Sequence, residues 1–176
     1  DFPLGNGTLE DKLVEAKQAI ENGADDLDFV VDYEAFKRGE ISVVKEQVLQ
    51  GTKLGLAHNK IVKWIIEVAA LDNHQIVQLS ALIKNVVIAN FTEKEYDKVF
   101  VKSSTGFYKT PEGVPNGATV ATIKLMLENS FPLLVKAAGG VRTYEEAVEM
   151  VQLGVKRIGT SAAKAIATGE ISNSDY

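Results

Sequence analysis

The chain has 176 residues, 45% of them hydrophobic and 24% charged, with a formal net charge of −5, the balance of one ordinary globular domain with a sizeable core. Such an acidic chain is not made for nucleic acid or an anionic membrane, and the absence of cysteine excludes disulfides, thiolate catalysis and cysteine–metal sites. No apolar run approaches a membrane span, and the opening Asp1-Phe2-Pro3-Leu4-Gly5 lacks the basic-then-apolar pattern of a secretion signal, so the expected location is the cytoplasm.

Thr8 precedes Leu9-Glu10-Asp11, with Leu13, Ala16 and Ile20 on one stripe and Gly23 behind them; this predicts a first helix. Residues 27–31 are an apolar run and predict a strand. Within it Asp28, between Leu27 and Phe29, is expected to be held inside, while Asp25 and Asp26 mark a solvated strand entry. A helix follows over 41–56, interrupted by Gly51 and Gly55. A second strand over 61–68 puts Lys63 and Glu67 on one face by period-two counting, where the expectation is a structural ion pair. Asp72 and Gln75 stand at capping-box spacing ahead of Ile76, Leu79, Ile83 and Val87. A third strand is predicted over 98–103, then a surface loop over 109–117 that holds two prolines. A helix over 119–129 and a strand over 133–137 come next. Thr143 with Glu146 forms another capping box, closed by Gly154. A fifth strand over 157–160 and a short helix after Ser161 complete a domain over 1–168, and a polar, flexible tail occupies 169–176.

The strands are rich in Val, Ile and Leu without clean alternation, as parallel strands covered on both faces are. Repeated βα units therefore predict an α/β fold with a parallel sheet and right-handed crossovers. An open doubly wound sheet and part of a (β/α)8 barrel both fit. The dinucleotide fingerprint is absent: Gly5-Asn6-Gly7 lacks its third glycine and no strand precedes it.

Two strands end alike, Val101-Lys102-Ser103-Ser104-Thr105-Gly106 and Val135-Lys136-Ala137-Ala138-Gly139-Gly140. A lysine on a strand is ordinarily solvated, but the repetition on consecutive strands predicts two lysines side by side, facing one interior near the carboxyl ends of the sheet. Like charge and burial each lower a lysine pKa, and a neutral amine can form an imine with a carbonyl. Ser103, Ser104, Ala137 and Ala138 are expected to leave room for a substrate. Asp28 would find its partner in the lysines, either as a structural salt bridge or as an acid working with them. The turns Gly139-Gly140-Val141-Arg142 and Gly159-Thr160-Ser161 each follow a strand and are expected to open a helix, where backbone N–H groups and the absence of a Cβ suit phosphate. A tight turn without a ligand is the other reading.

These segments resemble deoxyribose-phosphate aldolase. Val101–Phe107, Val135–Thr143 and Arg157–Ala162 look like the last three strand ends of that family. The run 23–31 is similar to its fourth strand, 62–67 to its fifth, and 1–6 to its third strand–helix loop. The resemblance covers essentially the whole chain. It implies a (β/α)8 barrel, here a partial barrel of about five βα units that starts where the third strand ends, hence a piece of a longer aldolase, prone to association when alone. It implies a lyase that reversibly cleaves 2-deoxyribose 5-phosphate to acetaldehyde and glyceraldehyde 3-phosphate without metal or other cofactor. Lys102 takes the place of the imine-forming lysine, Lys136 that of the second lysine, and Asp28 that of the acid working with Lys136. Gly106, Gly139, Gly140, Gly159 and Ser161 take positions near the phosphate, and Tyr176 that of a terminal tyrosine serving as a candidate proton relay. The implied partner is a phosphorylated sugar, with a homo-oligomer as the expected assembly. Another Schiff-base sugar-phosphate lyase of transaldolase-like type and an inactive phosphate-binding fragment are the alternative readings.

Overall fold

The computed structural model describes residues 1–169. In chain order the elements are α1 (Leu9–Glu21), β1 (Asp26–Val30), α2 (Tyr33–Lys37), α3 (Ile41–Ala57), β2 (Ile61–Ile65), α4 (Asn73–Asn90), β3 (Val99–Lys102), α5 (Val120–Ser130), β4 (Leu134–Ala138), α6 (Tyr144–Leu153), β5 (Arg157–Gly159) and α7 (Ala163–Thr168). The five strands pair in parallel in the order β1-β2-β3-β4-β5. This is the wall of a (β/α)8 barrel, a partial barrel of five strands with helices on one face.

The expected caps form. The Thr8 side chain accepts from the Asp11 N–H at the start of α1, and reciprocal boxes pair Asp72 with Gln75 and Thr143 with Glu146; a further box, not foreseen, pairs Thr119 with Thr122. Gly154, at φ +110°, ends α6 in the left-handed region, where a side chain would be strained.

Alternation along each strand sorts the residues. Leu27, Phe29, Val62, Trp64, Ile66, Val99, Val101, Val135 and Ala137 face the helices and form the main core with α3, α4 and α5. Trp64 stacks on Phe29 at 4.8 Å between ring centroids and donates its indole N–H to the Thr52 hydroxyl at 2.9 Å. This packing explains why α3 runs unbroken through Gly51 and Gly55. A Cβ on Gly51 would stand 2.7 Å from Trp64, and one on Gly55 2.3 Å from Val62. The glycines are where the helix approaches the sheet, so tertiary contact overrides their low helix propensity. The expected second strand is shorter than its apolar run: it stops at Ile65, and a 3₁₀ turn covers Val68–Ala70. The short helix α2, absent from the sequence reading, is capped by the Asp32 side chain accepting from the Ala35 N–H at 2.8 Å. Among the described residues, no helix is long and apolar enough to cross a membrane.

Candidate active site

The opposite face of the sheet carries the polar side chains. β1 contributes Asp26 and Asp28, β2 Lys63, β3 Phe100 and Lys102, β4 Lys136 and Ala138, and β5 Arg157 and Gly159. Lys102 and Lys136 are direct register partners on β3 and β4, which is the side-by-side arrangement expected of the repeated motif. Lys102 is buried, 7% exposed.

A chain of ion pairs crosses this face. Lys102 Nζ lies 3.3 Å from Asp28 Oδ2, Lys63 Nζ lies 3.3 Å from Asp28 Oδ1 and 2.9 Å from Asp26 Oδ2, and Arg157 Nη1 lies 2.5 Å from Asp26 Oδ2. Arg157 belongs to β5 and Asp26 to β1, the outermost strands of the sheet. Their contact requires the sheet to curl back on itself. The guanidinium makes the reach by lying over the Phe100 ring, 5.0 Å from its centroid, a favourable cation–π geometry.

Three expectations are corrected here. Asp26 is more than a solvated entry residue: a third of its side chain is exposed, but it pairs with Lys63 and Arg157; burial alone would push its carboxyl up, and the hydrogen bonds from Lys63 and Arg157 outweigh that and hold it below the usual carboxylate range. Asp28 is not fully inside: a third of its side chain is exposed, because the inner face is open to solvent. Its ion pairs go to Lys102 and Lys63, not to Lys136. Lys63 and Glu67 do not pair with each other. Lys63 turns to the two aspartates, and Glu67 accepts hydrogen bonds from Thr105.

Lys136 is half-buried, and its pKa is lowered, first by desolvation and then by the charge of Lys102; Asp28 opposes the shift, and Lys63 and Arg157 add to it. A cavity of about 310 Å³ opens beside it, lined by Lys102, Gly106, Lys136, Gly139, Gly140 and Ser161 among others. So the structure gathers Lys102, Lys136 and all five glycine and serine positions expected near phosphate, Gly159 among them, around one space. Tyr176 lies outside the described residues.

The glycines are there for close approach. Gly139 and Gly140 both have positive φ, +72° and +81°. A Cβ on Gly139 would meet Ser104 Oγ at 2.8 Å, and one on Gly140 the Ala118 carbonyl at 2.9 Å. Gly117, not singled out in the sequence, abuts the Gly139 backbone so closely that its own Cβ would lie 2.7 Å away. A Cβ on Gly159 would stand 3.1 Å from Lys136 Cε; glycine here leaves room for the lysine.

The first glycine turn does not open a helix directly. α6 starts at Tyr144, and the N–H groups around its start are taken by its own cap: Glu146 Oε2 accepts from the Arg142 and Thr143 N–H groups at 2.7 and 3.0 Å, and the Thr143 hydroxyl accepts from the Glu146 N–H at 3.2 Å. The Thr160 hydroxyl ties the two turns together by donating to the Val141 carbonyl at 2.7 Å. Ser103 and Ser104 do not serve as open space. Both hydroxyls donate to the Ala138 carbonyl, at 2.9 and 2.8 Å, and Ser103 Oγ accepts from the Ala138 N–H. They lock β3 to β4, while Ala137 faces the helices and only Ala138 opens onto the cavity. Among the described residues, no group of three or more His, Cys, Asp or Glu side chains could hold a metal ion.

The fold and the lysine-lined cavity at the carboxyl ends of its strands define the class, an α/β-barrel aldolase, a carbon–carbon lyase. No family model matches the chain. The deoxyribose-phosphate aldolase of Streptococcus pneumoniae serotype 19F (strain G54) is 38% identical over 176 residues, 99% of this chain and 72% of that protein. Among solved structures, a deoxyribose phosphate aldolase from Aeropyrum pernix, described as tetrameric, superposes with TM-score 0.76 at 31% identity, over 95% of this chain and 64% of that one. A putative deoxyribose-phosphate aldolase from Coccidioides immitis gives the same score and identity over 95% and 60%. The chain belongs to the deoxyribose-phosphate aldolase family.

Proposed function

We propose that the protein reversibly cleaves 2-deoxyribose 5-phosphate to acetaldehyde and glyceraldehyde 3-phosphate through an imine on Lys102. The observation that carries this reading is the pairing of two inward lysines at the wall of a glycine-lined cavity. The Lys102 amine adds to the C1 carbonyl of the open-chain sugar, and loss of water leaves the imine. The imine then acts as an electron sink. The C3 hydroxyl gives up its proton, the C2–C3 bond breaks, and glyceraldehyde 3-phosphate leaves. The enamine that remains is protonated at carbon, and water hydrolyses the resulting imine to acetaldehyde and free Lys102.

Proton transfer needs groups within reach of the reacting atoms. Asp28, in contact with Lys102, suits proton transfer at the enamine carbon beside that nitrogen. Lys136, its pKa lowered by burial and by the Lys102 charge, suits a group that gives up its proton more readily than an ordinary lysine. The phosphate fits the space between the turns at Gly106, Gly139–Gly140 and Gly159–Ser161, where absent side chains expose the backbone and Lys102 and Lys136 bring positive charge to the wall on an acidic protein.

A second reading exchanges the two lysines. Lys102 holds a carboxylate partner at 3.3 Å, while the pKa of Lys136 is lowered, which favours a neutral amine there. Borohydride reduction in the presence of acetaldehyde, followed by peptide mass mapping, decides between them. The proposal expects the ethyl adduct on Lys102 and its loss in Lys102→Ala. An adduct on Lys136 with Lys102 unmodified would establish the exchange, and no adduct on either would end the imine mechanism.

A further inference from the structure

Glu67 takes no part in the ion-pair chain, and its setting is unusual. It follows β2 with φ +54° and ψ +70°, a left-handed conformation that residues other than glycine, asparagine or aspartate seldom adopt. Its side chain is buried, 1% exposed, and only one carboxylate oxygen is used. Oε2 accepts from the Thr105 N–H at 3.1 Å and from the Thr105 hydroxyl at 2.5 Å. Oε1 is buried without a hydrogen-bond partner. Burial pushes the carboxyl above its ordinary range, against the pull of the Thr105 bonds and the Lys102 charge.

The surroundings give these features a purpose. Past the end of β2 the chain still pairs with β3 and its continuation: the Ile66 N–H donates to the Lys102 carbonyl at 3.0 Å and the Val68 N–H to the Ser103 carbonyl at 2.9 Å. The backbone ladder stops there. Two residues further along, the Glu67 side chain takes over by gripping Thr105, whose hydroxyl accepts from the Phe107 N–H at 3.1 Å. The turn held in this way begins at Lys102 and ends at Gly106, in the cavity wall. A strained backbone and a half-used buried carboxyl are poor choices for stability alone, and such features gather where geometry matters for function.

We infer that Glu67 is a positioning residue for the aldolase reaction, clamping Thr105 so that the turn 103–106 holds Lys102 and Gly106 in fixed relation. The inference rests on the proposed imine chemistry. Glutamine keeps an oxygen that can accept both Thr105 bonds; alanine keeps neither, and Thr105→Val removes the hydroxyl bond while keeping the side-chain volume.

The test uses the whole chain and compares Glu67→Gln, Glu67→Ala, Thr105→Val and the Glu67→Ala/Thr105→Val double variant. The readouts are the rate of borohydride-trapped imine formation with acetaldehyde, kcat and KM for 2-deoxyribose 5-phosphate, and the melting temperature. Misplacing a reacting group by a fraction of an ångström to 1 Å costs up to about 100-fold in rate. Glu67→Ala and Thr105→Val are therefore expected to slow trapping and kcat by about 10- to 100-fold, with the double variant no slower than the worse single one. Glu67→Gln is expected to stay within about threefold of the parent. Unchanged trapping and kcat in folded Glu67→Ala or Thr105→Val would overturn the inference. So would Glu67→Gln slowed as much as alanine at an unchanged melting temperature. Should Glu67→Ala not fold, the glutamine and valine variants decide. If the parent itself traps no imine, it is the proposed chemistry that fails, and the clamp loses its purpose with it.

Discussion

Lys102 and Lys136 are register partners on neighbouring strands, yet of these two lysines only Lys102 has a carboxylate at ion-pair distance among the described residues, Asp28 at 3.3 Å. Equivalent places in a parallel sheet thus become chemically different. The cause is the Asp28 side chain, whose two oxygens reach Lys63 and Lys102 and stop short of Lys136.

The first prediction concerns the Lys136 charge. Desolvation and then Lys102 lower its pKa from 10.5, so Lys102→Met is expected to raise it. Titration of ¹³C-methylated lysines by NMR measures both; a Lys136 that titrates at 10.5 or above in the parent contradicts the geometry. The sign for stability follows. Between the lowered folded value and 10.5 the unfolded chain holds more protons than the folded one, so the Lys136 contribution grows as pH rises through that window. Lys136→Met is expected to flatten the slope of stability against pH there.

Asp28 supplies a second test. If it moves protons for the enamine, Asp28→Asn leaves imine trapping in place but slows exchange of the acetaldehyde methyl protons with deuterated water by about 100-fold, the lower range for general acid–base catalysis. Exchange at the parent rate would reduce Asp28 to a structural counter-ion.

The glycine cavity is tested by Gly140→Val. The new Cβ meets the Ala118 carbonyl at 2.9 Å in a backbone at φ +81°, so a lower melting temperature is expected. KM for 2-deoxyribose 5-phosphate should rise about 10-fold more than KM for unphosphorylated deoxyribose, a difference of about 1.4 kcal/mol. Equal loss for both sugars means the turn is structural only.

Gly55→Ala sets helix propensity against packing. Alanine improves helix propensity by about 1 kcal/mol. The added Cβ, however, lies 2.3 Å from Val62 Cγ2, and overpacking a core costs about 1–3 kcal/mol. Val62 is fully buried on a central face and has little room to yield, so net destabilisation is expected in urea unfolding. A more stable variant would show that α3 can move off the sheet.

What depends on neighbours along the chain was legible in the residues themselves. The strand–helix alternation, the boxes at Asp72–Gln75 and Thr143–Glu146, and the Lys–small–small–Gly repeats all act over a few residues, so their spacing states their geometry. The pairing of Lys102 with Lys136 followed as well, because consecutive parallel strands with the same motif place equivalent residues together. Contacts between residues far apart in the chain had no such signal. Nothing local says that Arg157 lies across Phe100 to reach Asp26, that Glu67 turns to Thr105 instead of Lys63, or that Gly117 lies against Gly139. Each depends on how far the sheet curls and how closely two segments approach. Asp28 shows the division most clearly: its flanking residues mark the face it occupies, but only the folded sheet decides that it joins Lys63 to Lys102 and stays open to water.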